Sequence, residues 1–217
     1  MIEPSEIIES ENPNWMHFDV NSAYQALSCI PKLYIPKIEY AYKPKKDFTL
    51  VLDMDECLLH CRDTTTLDCI ARPFVKEFLD EMQENCDLIL FTSAEESYAL
   101  AALEHLNLKK YFSLILTRKN CYFFANIYFK LIHDLIEKGT HTIAIDNTIH
   151  NFGYNLHNAI PIKSFFGEED DKALLWMRDE LRTIFDLAKK DDEFDCSDYI
   201  AQRFQVLDII LSLENNQ

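Results

Sequence analysis

Residues 48–60 read FTLVLDMDECLLH, and this stretch decides the fold. Phe48 to Leu52 is apolar without alternation, the pattern of a short strand buried on both faces, and it runs straight into Asp53-Met54-Asp55. Two further predicted strands end in the same polar way. DLILFTS (87–93) closes on Thr92-Ser93, and Thr142 to Asp146 closes on Asp146-Asn147. In an open parallel sheet the carboxyl ends of the strands form one rim, and ligands sit there. These residues then set three carboxylates, an amide and two hydroxyls around one crevice. Clustered carboxylates repel one another unless a cation compensates, and an oxygen-rich, thiol-free set suits Mg²⁺. A carboxylate beside a metal-held phosphate can act as a nucleophile, and a second acid two residues on can protonate a leaving group.

Outward from this core, strands and helices alternate. FVKEFLDEMQE (74–84) spaces its apolar residues helically behind Pro73, and Glu95 to Leu106 is predicted helical. Phe112 to Thr117 is a predicted strand, Ile127 to Glu137 a helix carrying Lys130, and Ala159 to Ile162 a last strand. Asp170 to Lys189 has the period of a long amphipathic helix, and a final helix ends near Leu213. The alternation predicts an α/β, Rossmann-like fold: a mostly parallel sheet with helices on both faces and a minimal cap. Three segments follow. Residues 1–46 hold five of the seven prolines and read as an arm, with a short helix near Ser22 to Cys29. Residues 47–189 form the main domain, and 190–217 a helical extension.

Composition removes several function classes. The chain has 217 residues, 48% of them hydrophobic, enough for a packed core. Asp and Glu number 37 against 21 Lys and Arg, a formal charge of −16, which repels nucleic-acid backbones and anionic lipid. The three glycines, Gly139, Gly153 and Gly167, lie too far apart for a Walker loop or a dinucleotide-binding turn. The seven cysteines contain no C-x-x-C pair and read as reduced thiols. Cys57, His60, Cys61 and Cys69 fit no common zinc spacing. MIEPSEIIESENP lacks the basic and apolar regions of a leader, and no apolar run reaches membrane length. The expectation is a cytoplasmic or nuclear protein with no membrane and no nucleic-acid partner.

LVLDMDECLLH, RPFVKEFLDEM, LILFTSAEESYA, Arg118 with Cys121, Lys130, and AIDNTIHNF occur in this order over about residues 48–187. In this the chain resembles the haloacid dehalogenase superfamily, and within it the NLI-interacting-factor or small C-terminal-domain phosphatase branch. The resemblance implies a Mg²⁺-dependent phosphoserine/threonine protein phosphatase working through an aspartyl-phosphate. It makes Asp53 the nucleophile and a metal ligand, and Asp55 the general acid, with its backbone carbonyl on the metal. Thr92 and Ser93 would bind the phosphoryl group, Lys130 would neutralise it, and Arg118 would stand near the phosphate entrance. Asp146 would complete the metal site, with Asn147 beside it.

Two departures carry their own expectations. Cys57 stands where these phosphatases usually have threonine. The span from Cys61 to Arg72 is short where the branch has a longer insert that forms a small β-element shaping the phosphopeptide groove. The implied substrate is a phosphoprotein, with Lys or Arg near the phosphosite suited to the acidic surface, and a docking partner is expected for the arm or the last helix. The competing reading is a catalytically silent scaffold on the same fold, similar to a translocase subunit of the mitochondrial inner membrane. That reading predicts a presequence and eroded carboxylates, whereas the carboxylates are all retained.

Overall fold

The computed structural model describes residues 16–31, 36–138 and 141–213. The strands are β1 (Phe48–Leu52), β2 (Leu59–Asp63), β3 (Asp68–Ala71), β4 (Cys86–Phe91), β5 (Leu114–Leu116), β6 (Tyr122–Phe124), β7 (Ile127–Phe129), β8 (His141–Asp146) and β9 (Ala159–Pro161). The helices are α1 (Val20–Cys29), α2 (Val75–Asn85), α3 (Glu96–His105), α4 (His133–Ile136), α5 (Ala173–Lys190), α6 (Cys196–Phe204) and α7 (Val206–Leu211). Five strands form one sheet in the order β5-β4-β1-β8-β9, every pair parallel. Each residue of β1 and β4 is buried. Successive strand residues face opposite ways, so the sheet is covered on both faces, as the unbroken apolar runs predict.

Register places the polar ends together. Leu52 pairs with Leu90 on one side and with Ile145 on the other. Asp53 is therefore level with Asp146 and one step short of Thr92. The core around this rim is closed by α5, whose Leu174, Met177, Leu181, Ile184 and Phe185 are buried at helical spacing. The arm contributes too. Asp19 caps α1 by accepting the Ser22 N–H at 3.0 Å, and Ala23 and Ala26 are buried beneath it. A Cβ on Gly153 would lie 2.8 Å from Ile30 Cδ1 and 3.0 Å from Leu27 Cδ2, so glycine there lets α1 sit close. Among the described residues no helix is long and apolar enough to cross a membrane.

Four expectations are corrected. The helix predicted over 127–137 is instead a β6–β7 hairpin followed by the single turn of α4. Ala125 and Asn126 both take positive φ, 48° and 65°, the geometry of a two-residue hairpin turn, and Lys130 directly follows β7. The short Cys61–Arg72 span still folds as a β-element. β2 and β3 pair antiparallel, and the Asp63 carboxylate ties the turn by accepting the Thr65 N–H at 2.8 Å and its hydroxyl at 2.6 Å. That pairing sets Cys61 opposite Cys69, and the two are joined in a disulfide, while Cys29, Cys57, Cys86, Cys121 and Cys196 are free. The last helix is two, broken where Gln205 adopts the left-handed region at φ 49°.

Candidate active site

The chain turns back as soon as it leaves β1. The Met54 carbonyl accepts N–H bonds from Cys57, Leu58 and Leu59 at 3.3, 2.9 and 3.2 Å, and Glu56 takes φ 55°. This tight turn fixes Asp53 and Asp55 at the crevice mouth. Asp53 is 6% exposed, and Lys130 and Asp146 are fully buried beside it.

Lys130 Nζ lies between the two carboxylates, donating to Asp53 Oδ1 at 2.5 Å and to Asp146 Oδ2 at 2.6 Å, with the Phe152 ring 5.5 Å away. Burial alone pulls an ammonium pKa down, but Asp146 and Asp53 more than reverse it and hold Lys130 charged. One ammonium does not balance two carboxylates. Burial first, and Asp146 second, push the Asp53 carboxyl up to about 8 against the pull of Lys130. A carboxyl raised that far keeps its proton at neutral pH, so the crevice resists a second negative charge until a further cation is supplied.

The Asn147 amide faces Asp53 and Asp55 across the crevice. Its nitrogen donates to Asp53 Oδ2 and to the Asp55 carbonyl at 3.2 Å each, and its oxygen accepts the Ser164 hydroxyl at 3.1 Å. Turned over, the amide would offer its oxygen beside theirs, and such a cradle has the donor chemistry that a hard divalent ion takes. Among the described residues no three His, Cys, Asp or Glu side chains gather as a metal cage. The cradle instead uses one carboxylate, one backbone carbonyl and one amide. Asp146, expected to complete that set, spends Oδ2 on Lys130 and Oδ1 on the Thr148 N–H at 2.6 Å. Asn147, expected beside it, is the group facing inward, because adjacent residues at a strand end point different ways.

Asp55 Oδ1 accepts the Tyr98 hydroxyl at 2.5 Å. Burial raises the Asp55 carboxyl above its ordinary value while the phenol bond pulls it back. Across the crevice Thr92 is buried, and its Oγ1 accepts the Ala94 N–H at 3.0 Å, leaving its own hydrogen to donate. Arg118 Nε donates to the Ser93 carbonyl at 2.7 Å and Nη1 to Glu95 at 2.8 Å, with the guanidinium 5.1 Å over the Tyr128 ring. Arg118 thus anchors the turn after β4 at the rim. All the expected residues, Asp53, Asp55, Thr92, Ser93, Arg118, Lys130, Asp146 and Asn147, lie along this one rim.

Two further contributors were given no role by the sequence. Tyr98 falls within LILFTSAEESYA and Arg72 within RPFVKEFLDEM, two of the stretches that carry the resemblance, yet residue type alone gives neither a partner. Arg72 and Asp171 form a fully buried bidentate pair at 2.9 and 3.0 Å, and Arg72 also donates to the Cys57 and Lys163 carbonyls at 3.0 Å each. That pair ties the turn after β1, the end of β3 and the 163–171 loop together.

A sequence profile of NLI interacting factor-like phosphatases matches residues 48–193. The chain is 28% identical over 197 residues to the CTD small phosphatase-like protein 2 of Dictyostelium discoideum, covering 83% of this chain and 33% of that protein. It is 32% identical over 161 residues to the probable C-terminal domain small phosphatase of the same organism, covering 66% of this chain and 52% of that protein. The chain therefore spans 33% and 52% of the length of these relatives. Among solved structures, a HAD-superfamily hydrolase from Ehrlichia chaffeensis is similar at 11% identity and a TM-score of 0.47, covering 69% of this chain and all of that one. The profile takes in β1 through α5 and every residue placed around Asp53. With about two thirds of its length so matched, the chain belongs to the NLI interacting factor-like phosphatase family.

Proposed function

We propose that the chain is a Mg²⁺-dependent phosphoprotein phosphatase that cleaves Ser/Thr phosphomonoesters through an aspartyl-phosphate at Asp53. The observation that carries this is the division of the Asp53 carboxylate, with Oδ1 on Lys130 and Oδ2 in the cradle. Asp53, the Asp55 carbonyl and Asn147 would hold the ion, which supplies charge compensation for a transferring phosphoryl group.

In the first step Asp53 Oδ1 attacks phosphorus, the bond to the Ser/Thr oxygen breaks, and Asp55 gives that oxygen its proton. The raised Asp55 pKa suits a group that must arrive protonated. In the second step Asp55, now a carboxylate, takes a proton from water as the water oxygen attacks phosphorus. The Asp53–phosphorus bond breaks and inorganic phosphate leaves. The Thr92 hydroxyl and the Ser93 N–H donate to phosphoryl oxygens, and Lys130, held by Asp146, balances the charge. A phosphoprotein is the favoured substrate class because the segments between the strands, the β2–β3 and β6–β7 hairpins among them, are too short to form a cap domain over the crevice. The relatives' names, small phosphatases of a C-terminal domain, agree with a protein substrate.

The test is Mg²⁺-dependent hydrolysis of an aryl phosphate by wild type and Asp53→Asn. The reading requires turnover that depends on Mg²⁺ and vanishes in the variant. A folded, Mg²⁺-loaded wild type without turnover would overturn it in favour of the silent scaffold.

A further inference from the structure

On the metal side of the crevice a cavity of about 270 Å³ opens between the catalytic loops and the arm. Asn147 and Ser164, the pair that orients the cradle amide, line one wall, and Phe18, Asp19 and Ser22 line the other. The second wall lies outside residues 48–193, the stretch shared with the family. It is nevertheless set in place, through the capped α1, the buried Ala23 and Ala26, and the close approach at Gly153.

The cavity has a definite chemistry. Phe18 and Ile149 give it apolar surface, and Asp19 is the only carboxylate among its described lining residues, which include no lysine or arginine. Ser22 bonds each Asp19 oxygen, at 3.0 and 2.7 Å, so the carboxylate is ionised and aimed, with lone pairs left over. The other titratable groups are His17, exposed, and His150, held below its ordinary value by burial. An aliphatic stem with a cationic head matches an apolar wall rimmed by one carboxylate.

We propose that this cavity is a specificity subsite of the phosphatase crevice, taking the Lys or Arg side chain of a residue flanking the phosphosite, with Asp19 as its counter-charge. The proposal rests on the phosphoprotein reading of the crevice. It makes the arm the part of the chain that sets which phosphosites are chosen.

The experiment measures binding of fluorescent phosphoserine peptides to the full chain carrying Asp53→Asn, by anisotropy. The peptides place one lysine at each flanking position of an otherwise neutral sequence. Asp19→Asn removes the charge and keeps the helix cap, since asparagine caps as well as aspartate. The expected result is a preference of about two- to fivefold for lysine at one position, the size of a partly exposed ion pair. Asp19→Asn erases that preference, with neutral-peptide binding unchanged. Lysine preference that survives Asp19→Asn, absence of any lysine preference, or equal loss for every peptide overturns the proposal. Aryl phosphate turnover by the wild type is measured alongside. If the wild type itself does not turn over, the phosphatase reading fails while the binding comparison still decides the subsite.

Discussion

Replacing Lys130 with methionine keeps most of the side chain's length and removes its charge. In the native chain the ammonium is fully buried and bonds Asp53 and Asp146 at 2.5 and 2.6 Å. Without it two buried carboxylates face each other with no cation. Leaving a buried charge without its partner costs about 3–5 kcal/mol, which for a chain of this size lowers Tm by about 6–20 °C. The pH dependence has a definite sign. Asp53 already sits near 8 with Lys130 present, against an ordinary value of 3.8. A carboxyl raised in the folded state binds more protons there than in the unfolded chain. The stability that proton confers is fully present below 3.8 and is lost as pH rises towards 8. Removing the ammonium raises the carboxyl further, so the loss is largest at pH 8.5 and smaller at pH 5.5. Thermal melts of wild type and Lys130→Met, in chelator at both pH values, measure it. A Tm within about 2 °C of wild type at pH 8.5, or a larger loss at pH 5.5, would refute the charge balance drawn for this site.

Tyr98→Phe deletes the phenol bond that favours the ionised form of Asp55. The limb of the pH–rate profile set by the acid is expected to move up by about one unit, the low end for a bond to a charged group, and an unmoved limb would count against the contact. Arg72→Met leaves Asp171 with Lys163, 3.1 Å away, and the Ala173 N–H, 2.9 Å away, and is expected to cost about 3–5 kcal/mol in chemical denaturation; a loss under about 1 kcal/mol would remove the pair as an anchor. If the crevice binds Mg²⁺ as proposed, the ion at one hundred times Kd is expected to stabilise the folded state by about 2.7 kcal/mol, and more at pH 8 than at pH 5 because protonated Asp53 is a poor ligand. Asp53→Asn should lose most of that thermal shift, and a full shift in the variant would place the ion elsewhere.

The sheet and its acidic rim were legible because an unbroken apolar run has few alternatives, and an aspartate directly after one leaves little choice of position. The hairpin that delivers Lys130 was not. Its turn residues, Ala125 and Asn126, include no glycine, so the left-handed geometry carries no compositional mark, and IYFKLIHDLIEK imitates a helical period. Tyr98 and Asp55 are 43 residues apart, and Arg72 and Asp171 are 99 apart. Such contacts exist only once the sheet has assembled. Which of Asp146 and Asn147 faces Asp53 Oδ2 hangs on which way two adjacent side chains turn, a distinction finer than residue type conveys. The Cys61–Cys69 bond was missed because counting C-x-x-C spacings ignores residues that meet across a hairpin.

The Asn147 amide gives the crevice a bonded arrangement of its own. Its nitrogen donates to Asp53 Oδ2 and to the Asp55 carbonyl while its oxygen accepts from Ser164, so the inner oxygens are satisfied by the chain itself. If the crevice takes an ion as proposed, the amide has to turn over to offer its oxygen. Ion affinity would then be a difference, coordination gained less hydrogen bonds surrendered, and Ser164 would enter it without touching the ion. Altering Ser164 would change how much ion is needed while leaving every proposed ligand where it is.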